Sequence, residues 1–267
     1  HGRFCAHLRE RFVQLLDEML PLFPSEFVHI GGDEAPKGQW YSCEDCLRLM
    51  REKGMKNAEE LQQYFTLQVC DYLKSKGKRA IVWNESLKAG ALPPQITVQY
   101  WLGDKKTTLE HMAGGGQVIA SEMKYMYADY PFFMTPLSKT YRYDPFPHHP
   151  EAVAGVETTL WSEYITTEAR LHEMAFPRIA AAAEVGWTEK TGKKYARFHR
   201  NIKRLLPLLR SMGIAAAPVR DWSGASPRAL REMARFLHRT SAGKMVPRQM
   251  QNIKEEKRLA RLQGFSD

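Results

Sequence analysis

His29-Ile30-Gly31-Gly32-Asp33-Glu34 is the stretch on which the reading of this chain turns. The apolar run Phe27-Val28-His29-Ile30 has the length and composition of a short buried strand. Two glycines follow, which let the backbone turn sharply and approach a ligand closely. Two adjacent carboxylates come next, at the C-terminal end of the strand, where both can face one pocket. Like charge and partial burial push the pKa values of such a pair apart, so that one stays ionised while the other holds a proton near neutrality. That is the equipment of acid–base hydrolysis, and of glycoside cleavage in particular. An Asp-Glu pair by itself favours a loop whose Asp caps the next helix; the complete hexapeptide does not.

Outward from this stretch, strands and helices alternate. Apolar spacing over Arg3 to Leu20 (Phe12, Leu15, Leu16, Met19) predicts a helix that stops at Pro21. Asn57 caps a helix to about Ser75, closed by Gly77. Strands are expected at Arg79–Trp83, at Thr97–Trp101 after Pro93-Pro94, at Gln117–Ser121 and at Val153–Trp161. A short helix spans Thr107–Ala113, and a Tyr- and Pro-rich loop runs from Lys124 to Pro150. Two helices follow, at about Glu168–Val185 and Lys194–Met212. Strand alternating with helix means a parallel sheet, and there is no internal repeat.

The 267 residues, 43% of them hydrophobic, suffice for a substantial core. No apolar run approaches the roughly 18–20 residues of a membrane span. Cys5, Cys43, Cys46 and Cys70 are too few for a disulfide framework. Cys43-x-x-Cys46 lacks a second pair that would complete a zinc site and reads as two thiols at the start of a helix. Residues 223–267 carry 10 Lys/Arg against 4 Asp/Glu, so most of the net charge of +9 lies in the tail. Its helix-like segments 228–239 and 254–262 read as solvated basic faces, with a poorly ordered extension as the companion expectation and RNA binding as the minority one. The chain starts at His1, so neither a start methionine nor a signal peptide is visible.

The hexapeptide resembles the His-x-Gly-Gly-Asp-Glu signature of family 20 glycoside hydrolases, the β-N-acetylhexosaminidases. The resemblance runs from about Met19 to about Pro218 through Leu22-Phe23-Pro24-Ser25, Val82-Trp83-Asn84-Glu85, Tyr127-Ala128-Asp129 and Leu160-Trp161-Ser162-Glu163, all in the family's order. It implies an α/β fold, a (β/α)8 TIM barrel of which this chain holds strands four to eight with helices outside. Residues 1–218 would form this partial catalytic barrel and 219–267 a basic helical tail. The chain would then be a fragment of a longer protein, or a member with an unusual N-terminal region. Its open parallel edges invite a partner, a homo-oligomer among the options.

The resemblance also implies roles. Family 20 enzymes use the substrate's own 2-acetamido oxygen as nucleophile. Asp33 would orient that group and stabilise the oxazolinium intermediate, and Glu34 would protonate the leaving oxygen and then deprotonate water. Trp83, Trp101 and Trp161 would form the pocket wall; for any one of them barrel core is an equal alternative. Tyr127 would hydrogen-bond the acetamido oxygen, with Asp129 fixing the register against the alternative Tyr125. Asp129 would serve the leaving-group side or the O6 hydroxyl, and Glu163 the O4 and O6 hydroxyls. His29 reads as a hydrogen-bonding partner behind the pair. Glu85, Trp40, Trp187, Asp144 and His148-His149 carry less weight, with Trp187 expected to pack on the barrel's outside.

The expected function is a retaining exo-β-N-acetylhexosaminidase acting on terminal β-linked GlcNAc or GalNAc. Its partners are N-acetylhexosamine-terminated glycans, with no metal or other cofactor, no nucleic acid and no membrane span. The alternative is a carbohydrate-binding remnant of such an enzyme. The resemblance implies a secreted, periplasmic or lysosomal address.

Overall fold

The computed structural model describes residues 6–239 and 242–266; Cys5 and the expected first turn of the N-terminal helix lie outside them. The chain forms two compact units. The first comprises residues 1–99, 103–117 and 243–267, and the second residues 100–102 and 118–242. Five strands run in the order β1-β2-β3-β4-β5: β1 Phe27–His29, β2 Arg79–Trp83, β3 Thr97–Tyr100, β4 Val118–Ala120 and β5 Val153–Val156. Sequential order with parallel pairing is the β/α pattern expected from the alternation of elements.

In the first unit, α1 (Ala6–Met19) precedes β1, while α2 (Glu44–Glu52) and α3 (Ala58–Ser75) lie between β1 and β2, and α4 (Lys106–Ala113) follows β3. Asn57 accepts a hydrogen bond from Glu60 N–H at 3.2 Å, and the Glu60 carboxylate accepts one from Lys56 N–H at 2.9 Å. These bonds satisfy donors that a helix start otherwise leaves unpaired. β1 pairs with β2 in the register Phe27↔Arg79 to His29↔Ile81, and β2 with β3 from Ile81↔Thr97 to Trp83↔Gln99. Cys43 is the residue before α2 and Cys46 is buried within it, the arrangement read from the sequence.

The second unit holds β4, then α5 (Met123–Met126) and α6 (Leu137–Tyr141), β5, α7 (Glu168–Ala175), α8 (Arg178–Trp187), α9 (Tyr195–Ser211) and α10 (Pro227–Arg239). Phe132, Leu137, Tyr141, Phe198, Ile202 and Trp222 are buried together in its core. Two expectations are corrected here. The single helix expected over Glu168–Val185 is two, parted at Phe176-Pro177, because proline removes an amide donor and crowds the preceding turn. The strand expected over Val153–Trp161 ends at Val156; its pairing with β4 slips near its start, between Val118↔Val153 and Ile119↔Gly155, and is regular again at Ala120↔Val156. Beyond it Glu157 N–H still donates to Ala120 O at 3.2 Å, and Thr159 forms an isolated bridge with Tyr127.

The basic tail is helical and docked. In α10, Arg228 contacts Glu173, Asp221 and Glu232, and Arg170 binds Glu232 at 3.0 Å. The last helix, α11 (Ala242–Leu262), belongs to the first unit, where Ala260 is buried with Trp40, Tyr41 and Met50. Among the described residues no helix is long and apolar enough to cross a membrane.

Candidate active site

In the first unit the hexapeptide leaves β1 exactly where sheet pairing gives way to a tight turn. Ile30 N–H still donates to Ile81 O at 2.9 Å and Trp83 N–H to Gly31 O at 3.0 Å. Gly31 and Gly32 then take φ of +74° and +102°, a region glycine enters without a Cβ penalty. A Cβ on Gly32 would stand 2.4 Å from Ser86 Oγ, so the glycine is required by close approach as well as by backbone angle. Glu34 itself sits at φ +49°, which is strained for a residue with a side chain and has to be imposed by its surroundings.

Asp33 and Glu34 are both exposed. This differs from the partial burial expected of them. The cause lies in the sheet order: β1 is its first strand, has β2 as its neighbour, and shows two exposed residues out of three. His29 accepts a hydrogen bond from Gly31 N–H at Nδ1 (3.1 Å) and meets Trp83 edge-on with ring centroids 4.9 Å apart. It thus braces the turn that precedes the pair. Trp83 is half-buried at the end of β2. Glu85 pairs with Lys88 at 2.6 Å.

In the second unit three of the candidate aromatic residues contact one another. Trp101 stacks on Tyr127 (6.2 Å, 12° between planes), and Trp161 meets Tyr127 edge-on at 6.3 Å. Tyr127 is buried, whereas Trp161 is 44% exposed. Ala128 N–H donates to Thr159 O at 2.9 Å, which ties the Tyr127–Asp129 segment to the chain leading to Trp161. Tyr125, the alternative to Tyr127, is turned to another neighbour and stacks on Tyr143 at 4.6 Å.

Asp129 is 3% exposed, and its Oδ1 has no hydrogen-bond partner among the described residues. Burial pushes its carboxyl up to about 6; its own and Trp161's backbone N–H groups and the charge of Arg178 oppose that, while the exposed Glu163 carboxylate adds to it. The proton linkage follows. Below about pH 4 both folded and unfolded chains hold the proton. Between about pH 4 and 6 the unfolded chain ionises first, so stability falls as pH rises and is level above that window. Asp129→Asn removes this loss. Its stability relative to the parent is expected to rise by on the order of 2–3 kcal/mol between pH 4 and pH 7.5, read from urea unfolding at the two values. Identical pH dependence in parent and variant would show that Asp129 is ionised as freely as in the unfolded chain.

Three residues invisible to motif reading support these sites. Gln62 of α3 donates to Gly32 O at 2.8 Å. Lys37 is 5% exposed, lies 3.1 Å from Glu59 and donates to Ala35 O. Arg178, fully buried at the start of α8, donates to carbonyls on both sides of Asp129. The one sequence signal for Arg178 is an arginine standing alone in the Ala-rich run after Pro177. Trp187 departs from expectation, being 91% exposed instead of packed, and Trp40, which carried little weight, is core.

A five-stranded parallel sheet in sequential order with helices between its strands has the architecture of part of a β/α barrel. The chain belongs to glycosyl hydrolase family 20, whose catalytic-domain model matches residues 5–190. It is 35% identical over 221 residues to a β-hexosaminidase of Porphyromonas gingivalis, covering 76% of this chain and 28% of that protein. A Vibrio furnissii β-hexosaminidase is 31% identical over 66% of this chain and 32% of its own length. Among solved structures, the family 20 exo-β-N-acetylglucosaminidase of Vibrio harveyi in complex with N-acetylglucosamine superposes with a TM-score of 0.71 at 30% identity. That match covers 79% of this chain and 36% of the other. The chain therefore spans about a third of the length of these relatives, and its five strands are part of the barrel.

Proposed function

We propose that this chain carries the catalytic pair of a retaining exo-β-N-acetylhexosaminidase that removes terminal β-linked GlcNAc or GalNAc. The observation that carries this most directly is the left-handed turn through Gly31, Gly32 and Glu34, which presents two carboxylates at the end of β1 within the segment matching the family's catalytic domain. Asp33 holds the 2-acetamido group so that its oxygen attacks the anomeric carbon, and its charge offsets that of the resulting oxazolinium. Glu34 gives a proton to the departing glycosidic oxygen and takes one from the water that opens the oxazolinium, which restores the starting configuration. Trp101, Tyr127 and Trp161 supply flat apolar faces against the sugar ring, with Trp83 a further wall residue; Tyr127 donates to the acetamido oxygen, and Asp129 and Glu163 accept from outer hydroxyls.

The exposure of Asp33 and Glu34 favours a second reading for the chain on its own, that of a carbohydrate-binding remnant. Hydrolysis of p-nitrophenyl β-GlcNAc, together with the affinity for a GlcNAc-derived thiazoline, separates the two. A working site releases nitrophenol and binds the thiazoline, which mimics the oxazolinium, far more tightly than GlcNAc. A remnant releases none and binds both sugars alike.

A further inference from the structure

The Asp33–Glu34 loop is gripped by a part of the chain well beyond residue 190, where the family match ends. Ile30, Gly31, Gly32, Trp40, Phe65 and Val69 border a partly open pocket of about 140 Å³, so that face of the loop is not close-packed. Tethers hold it instead. Gln62 holds the carbonyl of Gly32. Lys37, three residues past Glu34, is claimed from two sides: its ammonium by Glu59 of α3 at 3.1 Å, and its backbone N–H by Glu256 Oε2 of α11 at 3.3 Å. At the next residue α11 passes so close that a Cβ on Gly38 would meet Leu259 Cδ1 at 3.8 Å and Glu256 Cα at 4.0 Å.

The helix end is itself anchored. Ala260 is buried among Trp40, Tyr41, Cys46 and Leu47, and the ring of Phe265 lies 5.8 Å from that of Tyr41. Ser266 N–H donates to Lys56 O at 3.0 Å, and Arg51 donates to Gln263 at 3.4 Å. A residue whose ammonium and amide are held by two different helices has little freedom. It stands three positions from a glutamate whose left-handed backbone has to be imposed from outside.

We propose that the end of α11, residues 254–266, is a strut that positions the Asp33–Glu34 loop, with Glu256 and Leu259 as positioning residues acting through Lys37 and Gly38. This rests on the role proposed for Asp33 and Glu34. Small displacements of an acid–base group lower turnover steeply while leaving ground-state binding nearly intact.

Amide hydrogen exchange and p-nitrophenyl β-GlcNAc hydrolysis are compared in the full chain and in Glu256→Ala, Glu256→Gln and the double variant Leu259→Asp/Phe265→Asp. In the double variant the amides of residues 31–38 are expected to exchange at least about tenfold faster, with those of α9 unchanged. Its kcat falls about tenfold or more while KM moves less than about threefold. Glu256→Ala shows the same effects in smaller measure, and Glu256→Gln, which keeps an acceptor for Lys37 N–H, restores them. A chain without turnover overturns the proposed function, and exchange alone then decides the strut. Parent-like exchange of residues 31–38, in a double variant whose faster exchange over residues 254–262 shows α11 undocked, overturns it. Should the double variant unfold, parent-like exchange in Glu256→Ala does so.

Discussion

Arg178→Met is expected to cost the fold about 3–5 kcal/mol in urea unfolding, the range for leaving a buried charge network without one partner. Arg178 is fully buried. Its guanidinium donates to four carbonyls: Met174 at 2.8 and 3.0 Å, Tyr130 at 2.6 Å, Thr135 at 3.3 Å, and Ala128. The ring of Phe132 lies 4.2 Å from the guanidinium carbon. Burial drives the guanidinium down to about 9, and the Asp129 carboxylate is the largest of the charges that oppose this. Methionine fills most of the volume, yet it leaves those carbonyls without donors and Asp129 without its compensating charge. Arg178→Lys has one compact ammonium for a fork-shaped set of acceptors and should fall between the two. Because Asp129 and Arg178 oppose each other's burial, Asp129→Asn in the Arg178→Met background should recover about 1–2 kcal/mol at pH 7.5, a non-additivity expected of residues in one network. A loss under about 1 kcal/mol in Arg178→Met would mean that the carbonyls find other donors, and that the segment bearing Tyr127 and Asp129 is not held from below.

Arg178 also marks the limit of what the sequence discloses. β2 was legible to the residue at Arg79–Trp83, and α3 from its Asn57 cap to Ser75, because apolar alternation and capping are local signals. The candidate site was proposed from signals of the same local kind, a Gly-Gly-Asp-Glu turn after a strand and tryptophans in short motifs. Where α8 begins was foreshadowed by Pro177 and still read as continuous, since Ala-rich periodicity on either side outweighed one breaker. Short α5 and α6 lie in a stretch rich in Tyr and Pro, where the loop signals mask them. Trp40 reads as solvent-facing from its polar neighbours, and only the 3-10 turn Gly38–Ser42 and the arrival of Ala260 bury it. Gln62, Lys37, Arg178 and Glu256 act on residues at least 22 positions away or on a distant helix. No local pattern encodes such contacts, so these residues appear only with the fold.

The second large effect separates the two carboxylates from each other. Glu34→Gln is expected to lower kcat/KM on a GlcNAc disaccharide by about 10²–10⁴, the usual worth of a positioned acid–base group. On p-nitrophenyl β-GlcNAc the loss should be markedly smaller. A nitrophenolate departs with little protonation, so the first step, which sets kcat/KM, hardly needs Glu34; the loss of the base that activates water shows in kcat instead. Asp33→Asn should behave differently. In the proposed mechanism the Asp33 charge faces positive charge that develops on the sugar and its acetamido group whatever the leaving group, so the loss of about 10²–10³ should be alike on both substrates. The adjacency of the two side chains makes this contrast informative, because a merely structural disturbance of the turn through Gly31 and Gly32 would strike both substrates and both variants equally. The assignment of Glu34 as acid fails if Glu34→Gln loses the same factor on the disaccharide and on the nitrophenyl glycoside. If Asp33→Asn, and not Glu34→Gln, shows the leaving-group dependence, the two roles are exchanged.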